Sequence, residues 1–184
     1  MNEENAPLIT VFGSSRSIPD DPDYKEGVRL GALLAGRGFR VCTGGYEGLM
    51  AAVSQGAYEM GSSPIGITFA DFGDQCNRFV QDHRRCPDLF SRLEHLVLEA
   101  DGYVVMRGGM GTLAELMLVW IHIESGLRNP APVVLLGHAW KTIIENLQEQ
   151  LTISSADLSL LSFASTAEEA VTQIVTAHEK QPIK

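Results

Sequence analysis

The residues best suited to chemistry lie in one stretch, Asp101 to Trp120, which reads DGYVVMRGGMGTLAELMLVW. Tyr103 to Met106 is a short apolar run rich in β-formers, and Arg107-Gly108-Gly109-Met110-Gly111 follows without a gap. Thr112 then opens an apolar segment reaching Ile123, too long for a strand and free of Pro and Gly, so its pattern predicts a helix. Strand, glycine loop and helix N-terminus, in that order, outline an anion site. Glycines clear Cβ atoms from the approach, the first helical N–H groups lack partners within the helix, and the macrodipole adds about half a positive charge there. The expected guest is a phosphate on Arg107, Gly108, Gly109, Met110, Gly111 and Thr112.

Glu115 lies three residues into that helix, which is apolar on nearly every side. A carboxylate in such a place is costly unless it has a partner or a task. Two other readings remain open. Thr112-Leu113-Ala114-Glu115 fits a capping box, which accounts for the threonine and the glutamate but not for the glycines before them. Gly109 to Ala114 also matches G-x-G-x-x-A, but a dinucleotide site expects an acid at the end of the next strand, and Val133–Leu136 ends in Gly137-His138.

Other elements must position this stretch. Leu8 to Phe12 reads as a buried first strand and leaves through Gly13-Ser14-Ser15, candidates for phosphate or ribose contact, or else plain turn formers. A helix from about Asp23 turns Val28, Leu30, Leu33 and Leu34 inward and stops at Gly36/Gly38. Phe39 to Thr43 is the second strand; Gly44 and Gly45 follow it as further candidates for close approach to the ligand, before a helix running to Met60. Ile65 to Phe69 is the third strand.

Asp71 to Pro87 is the least regular stretch, with a short strand expected around Phe79-Val80. Its basic group, Arg78, His83, Arg84 and Arg85, is either a solvated face or a funnel or lid over a phosphate pocket. Asp88 to Glu99 predicts a helix with Leu89, Leu93, Leu96 and Val97 as its stripe and Arg92 at the margin. Beyond the glycine loop and its helix come a strand at 132–136, a helix at 139–150, a last strand at 160–164 and a terminal helix to about His178. Strands alternating with helices across short loops mean an α/β fold, a parallel sheet covered on both faces. One domain is expected over 1–184, with flexible ends at 1–6 and 179–184.

The balance of 14 basic against 23 acidic residues, net −9, argues against a hold on nucleic-acid polymers. No apolar run reaches the ~20 residues of a membrane span, and the start MNEENAPLIT lacks a signal-peptide pattern. Cys42, Cys76 and Cys86 form no C-x-x-C pair, so free thiols in the cytoplasm are expected. The histidines show no metal-ligand spacing, and no metal or resident cofactor is expected.

With these motifs in place, the chain resembles, from about Leu8 to Val171, the family once labelled lysine decarboxylases, whose characterised members are the "lonely guy" phosphoribohydrolases. Its P-G-G-x-G-T-x-x-E motif stands here as Arg107 to Glu115, supported by Gly13-Ser14-Ser15 and by Gly44-Gly45…Gly48-Leu49-Met50. The family's M-x-x-R-K segment matches Leu89-Phe90-Ser91-Arg92-Leu93, so the resemblance implies Arg92 and Glu115 as a catalytic pair. It implies a three-layer Rossmann-like fold with a sheet of about six or seven strands, a homodimer, and a nucleoside 5′-monophosphate as partner. The implied reaction is hydrolysis of the N-glycosidic bond to free base and ribose 5-phosphate. The alternative is a non-catalytic carrier of a nucleotide or nucleotide cofactor. The chain departs from the family at Arg107 (for proline), Leu93 (for lysine), Tyr46 (for glycine) and Leu118 (for an acid).

Overall fold

The computed structural model describes residues 6–72 and 75–180. In chain order they form β1 (Leu8–Phe12), α1 (Pro22–Gly36), β2 (Arg40–Thr43), α2 (Leu49–Glu59), β3 (Ile65–Phe69), β4 (Asp82–Cys86) and α3 (Leu89–Leu98). Then follow β5 (Gly102–Val105), α4 (Met110–Glu124), β6 (Val133–Leu136), α5 (His138–Gln150), α6 (Ser155–Leu158), β7 (Leu161–Ala164) and α7 (Ala167–Lys180). All strand pairs are parallel, and the order is β4-β3-β2-β1-β5-β6-β7. The expected Rossmann-like architecture is thus a seven-stranded sheet.

Successive strand residues face opposite sides of a sheet. Ile9, Val11, Val104 and Val134 pack with α1, α2 and α7, whereas Phe12, Tyr103, Val105 and Leu135 pack with α3, α4 and α5. Because both faces are covered, the central strands are unbroken apolar runs and do not alternate. α1 and α2 lie so close that a Cβ at Gly31 would stand 2.0 Å from the Val53 carbonyl oxygen, and one at Gly56 only 1.8 Å from that of Val28.

Two expectations change. The strand placed around Phe79-Val80 lies later, at Asp82–Cys86, and contains His83, Arg84 and Arg85. As an edge strand it has one neighbour, and its charged side chains discourage pairing with another chain. Arg84 bonds Asp82 and Glu99, each at 2.9 Å. Of the basic group, His83, Arg84 and Arg85 thus stand on an edge strand, while Arg78 lies before it with its guanidinium over the Phe79 ring. At the C-terminus, Glu179 and Lys180 close α7, one turn-fraction beyond the expected end near His178; the rest of the expected flexible ends, 1–5 and 181–184, lies outside the described residues. Among the described residues no helix is long and apolar enough to cross a membrane.

The chain steps outward from β1 through β2, β3 and β4, then returns to β1's other side as β5. α1 and α4, which follow these two central strands, therefore leave on opposite faces. A crevice opens where they part, at the carboxyl ends of β1 and β5, the place where open α/β sheets take ligands.

The α1–α2 contact is expected to be unforgiving. Gly56→Ala should lose about 3 kcal/mol in urea unfolding, since the added methyl meets backbone. Gly36→Ala, whose Cβ would have Met60 Cε at 3.6 Å as its nearest neighbour, should be neutral or slightly stabilising.

Candidate functional site

Three loops are tied together above the crevice. The Ser14 amide donates to the Arg107 carbonyl at 3.0 Å, and the Leu49 amide to the Ser14 carbonyl at 2.7 Å. The β1 loop is thereby held between the β5 loop and the start of α2. Around them lies a cleft of about 1270 Å3, lined by Gly13, Ser14, Ser15, Arg92, Arg107 to Thr112 and Glu115 among others.

α4 begins at Met110, two residues earlier than the apolar pattern suggested, with Gly109 as its N-cap. Thr112 is therefore the third residue of the helix and not its cap. Glycine offers no capping side chain, and the first bond into the helix is Leu113 N–H to the Gly109 carbonyl at 3.0 Å. Among the described residues, the amides of Met110, Gly111 and Thr112 have no acceptor. The loop from Arg107 to Gly111 is exposed, so these donors face the cleft.

The glycines there differ in their reasons. A Cβ at Gly108 would lie 2.1 Å from Thr112 Oγ1, so packing of the buried threonine requires Gly108. At Gly109 and Gly111 nothing stands within 4 Å of an added Cβ. The protein's own packing needs neither, and glycine within a helix costs up to about 1 kcal/mol against alanine. Their bareness leaves the first turn of α4 open to the cleft.

The floor of the cleft is a buried charge pair. Asp88 caps α3 by accepting from the amides of Phe90 (2.8 Å) and Ser91 (2.9 Å). One turn on, Arg92 points inward beside Leu96 and Val97, and is 6% exposed. It is part of the buried stripe, not its margin, while Leu89 is partly exposed. Arg92 Nε donates to the Ile67 carbonyl at 2.8 Å, Nη1 to Glu115 Oε1 at 3.2 Å and Nη2 to the Gly44 carbonyl at 3.4 Å. The guanidinium also lies 5.5 Å from the Tyr46 ring centroid and 5.9 Å from that of Phe69. This pairing replaces the capping-box reading of Glu115, whose carboxylate goes to Arg92 and not back to the helix start. Burial pushes the Glu115 carboxyl up to about 7, with the charge and hydrogen bond of Arg92 pulling the other way.

Gly44 and Gly45 are buried beneath this floor and do not line the cleft. A Cβ at Gly44 would fall 2.0 Å from Arg92 Nη2, so its bareness seats the arginine. Asn77 is a cleft residue with no signature in the sequence. Its Nδ2 donates to the Gly45 and Tyr46 carbonyls at 3.1 and 3.0 Å, which fixes the β2 loop against the segment before β4. Only the fold could reveal it, since a lone asparagine in an irregular stretch marks nothing. Among the described residues no cluster of His, Cys, Asp or Glu is arranged to hold a metal ion.

A family described as "Possible lysine decarboxylase" matches residues 50–174. The chain belongs to that family. A cytokinin riboside 5′-monophosphate phosphoribohydrolase of Arabidopsis thaliana is 28% identical over 96% of this chain and 86% of its own length. A pyrimidine/purine nucleotide 5′-monophosphate nucleosidase of Escherichia coli is 31% identical over 72% of this chain, but over only 31% of its own length. Among solved structures, the molybdenum cofactor binding protein of Rippkaea orientalis superposes with a TM-score of 0.75 at 26% identity, covering 94% of this chain and 98% of that one. The family thus has nucleotide-processing enzymes and a cofactor-binding protein among this chain's relatives. At the positions where the chain departs from the family pattern, Tyr46 stacks near Arg92, Leu93 and Leu118 are half-buried, and Arg107 is exposed beside Asp23, 3.6 Å away.

Gly111→Ala is expected to leave stability unchanged or raise it by about 0.5–1 kcal/mol while weakening phosphate-ester binding. A thermal melt and a binding titration read the two effects separately, and unimpaired binding would refute the role assigned to the open glycines. The Glu115 carboxyl gives a second expectation. Its folded value lies above its ordinary one of 4.5, so the folded state retains a proton the unfolded state has lost, and stability falls as pH rises from about 4.5 to about 7. Glu115→Gln should abolish that slope, which amounts to on the order of 3 kcal/mol across the interval; parallel pH–stability curves for the two proteins would contradict it.

Proposed function

We propose that this protein binds a phosphorylated nucleotide or nucleotide-type cofactor in the crevice between β1 and β5 and carries it intact. The observation that bears most weight is the uncapped start of α4, with three unmet amides beneath two glycines that packing does not explain. A phosphate monoester supplies the charge and the acceptors such a terminus favours. Ser14 and Ser15 add hydroxyls from the other side of the cleft.

Carriage is favoured over cleavage by what surrounds Arg92 and Glu115. Each charge is directed at the other, and the arginine's remaining bonds go to backbone carbonyls. Leu93 and Leu118 supply no second ion where the family pattern has a lysine and an acid. The end-to-end likeness to a molybdenum cofactor binding protein supports the same reading. In this reading the protein is a single-domain, cytoplasmic homo-oligomer whose copies meet over exposed apolar residues such as Phe90 and Ile121.

The second reading is phosphoribohydrolase activity, and the retained Arg92–Glu115 pair is what favours it. Breaking an N-glycosidic bond builds positive charge on the ribose, which an ionised Glu115 would stabilise while Arg92 held the substrate or the departing base. Incubation with a panel of nucleoside monophosphates decides between the two. Carriage predicts a raised melting temperature with bound ligand and no free base. Hydrolysis predicts release of base, turnover that rises with pH through about 7 as Glu115 ionises, and a loss of about 10²–10³ in Glu115→Gln. A protein neither stabilised nor active across the panel would overturn both.

A further inference from the structure

The cleft carries cationic groups that a single phosphate on the α4 amides leaves unused. Arg16 lines it and is exposed, and its guanidinium has no ion-pair or hydrogen-bond partner among the described residues. Arg107 stands at the start of the glycine loop, its Nη1 3.6 Å from Asp23 Oδ2 and its side chain 79% exposed. So loose and wet a pair contributes little to folding. Between these arginines runs the serine-rich β1 loop. Ser14 Oγ already accepts from the Arg16 amide at 3.0 Å, which leaves its hydroxyl hydrogen for an acceptor from outside. In a chain of net charge −9, two arginines that the fold does not need stand at one mouth. The cleft, at about 1270 Å3, also exceeds the roughly 300–1,000 Å3 usual for small-ligand sites.

We infer that the cleft accepts an extended phosphate, as in a nucleoside diphosphate, with one phosphate on the Met110–Thr112 amides and the next between Arg16 and Arg107. This deepens the binding reading above and rests on it. The acids at the rim set the terms. Asp21 is engaged, accepting from the Ile18 amide at 3.0 Å, and Glu47 is an exposed side chain that repels any anion alike. Asp23 is the direct competitor, because the second phosphate must replace its carboxylate beside Arg107. The arginines thus discriminate by phosphate number, and Asp23 sets how strongly.

Titration of the full chain with AMP and with ADP, by calorimetry at fixed ionic strength, tests this. The wild type should bind ADP about tenfold more tightly than AMP, the gain expected from one further charge-assisted contact. The ADP-to-AMP affinity ratio should fall toward one in Arg16→Ala and in Arg107→Ala, both exposed positions where folding is not at stake, and should rise in Asp23→Asn. Equal affinities in the wild type, or a ratio unmoved by both arginine substitutions, would overturn the diphosphate assignment while leaving the phosphate site standing. Failure of the wild type to bind either nucleotide would overturn the phosphate site itself, and with it the function proposed above.

Discussion

A buried guanidinium must have its donors met, and Arg92 organises the centre of this molecule for that reason. Taking one member from a buried ion pair strands the other at a cost of about 3–5 kcal/mol. Arg92 therefore binds four segments at once: its own helix α3, the end of β3 through Ile67, the β2 loop through Gly44 and α4 through Glu115. Neighbouring residues conform to it. Gly44 has no side chain where Nη2 lies, Tyr46 and Phe69 present rings to its charge, and Asn77 steadies the β2 loop that supplies the carbonyl. The ionisation of Glu115 follows from the same arrangement, since burial and the arginine act on it in opposite directions.

At the other end of the cleft the logic reverses, and backbone donors are left unmet. α3 has Asp88 and α6 has a capping box at Ser154, whereas α1, α2, α4 and α5 begin without a side-chain cap bond. What sets α4 apart is that its first turn, with Gly109 before it and Gly111 within it, lines the cleft. Gly111 weakens the first turn and Gly109 leaves it bare, a local loss of stability typical of sites kept ready for a ligand. Rigid floor and receptive mouth are supplied by one helix, Glu115 from its second turn and the free amides from its first.

The architecture does not by itself choose between enzyme and carrier. Relatives of both kinds surround this chain, and function resides in the site and not in the sheet. The differences are a few side chains around one retained ion pair. An isolated, mutually neutralised pair makes a stable floor for a bound ligand; a working hydrolase needs the carboxylate ionised against a developing charge. The same residues serve either purpose, and their surroundings set which.

The sequence by itself determined the parallel α/β class, because apolar strand runs, helical stripes and glycine-bearing turns are local patterns that burial on both faces imposes residue by residue. It also marked the loop from Arg107 to Thr112, since glycines between a strand and a helix have few other uses. Where side chains face solvent, those patterns vanish: β4 lies later than the apolar pattern predicts, because an edge strand of charged residues carries no apolar signature. The capping-box alternative at Thr112 falls because the helix starts at Met110, after Gly109, and that start depends on backbone geometry that composition does not encode. Only the tertiary structure decided that Gly44 seats Arg92 from below, that Gly45 lies beneath the floor and accepts from Asn77, and that Arg92 and Glu115, 23 residues apart, meet. Those relations join segments distant in the chain, and distance in space is set by how the layers pack.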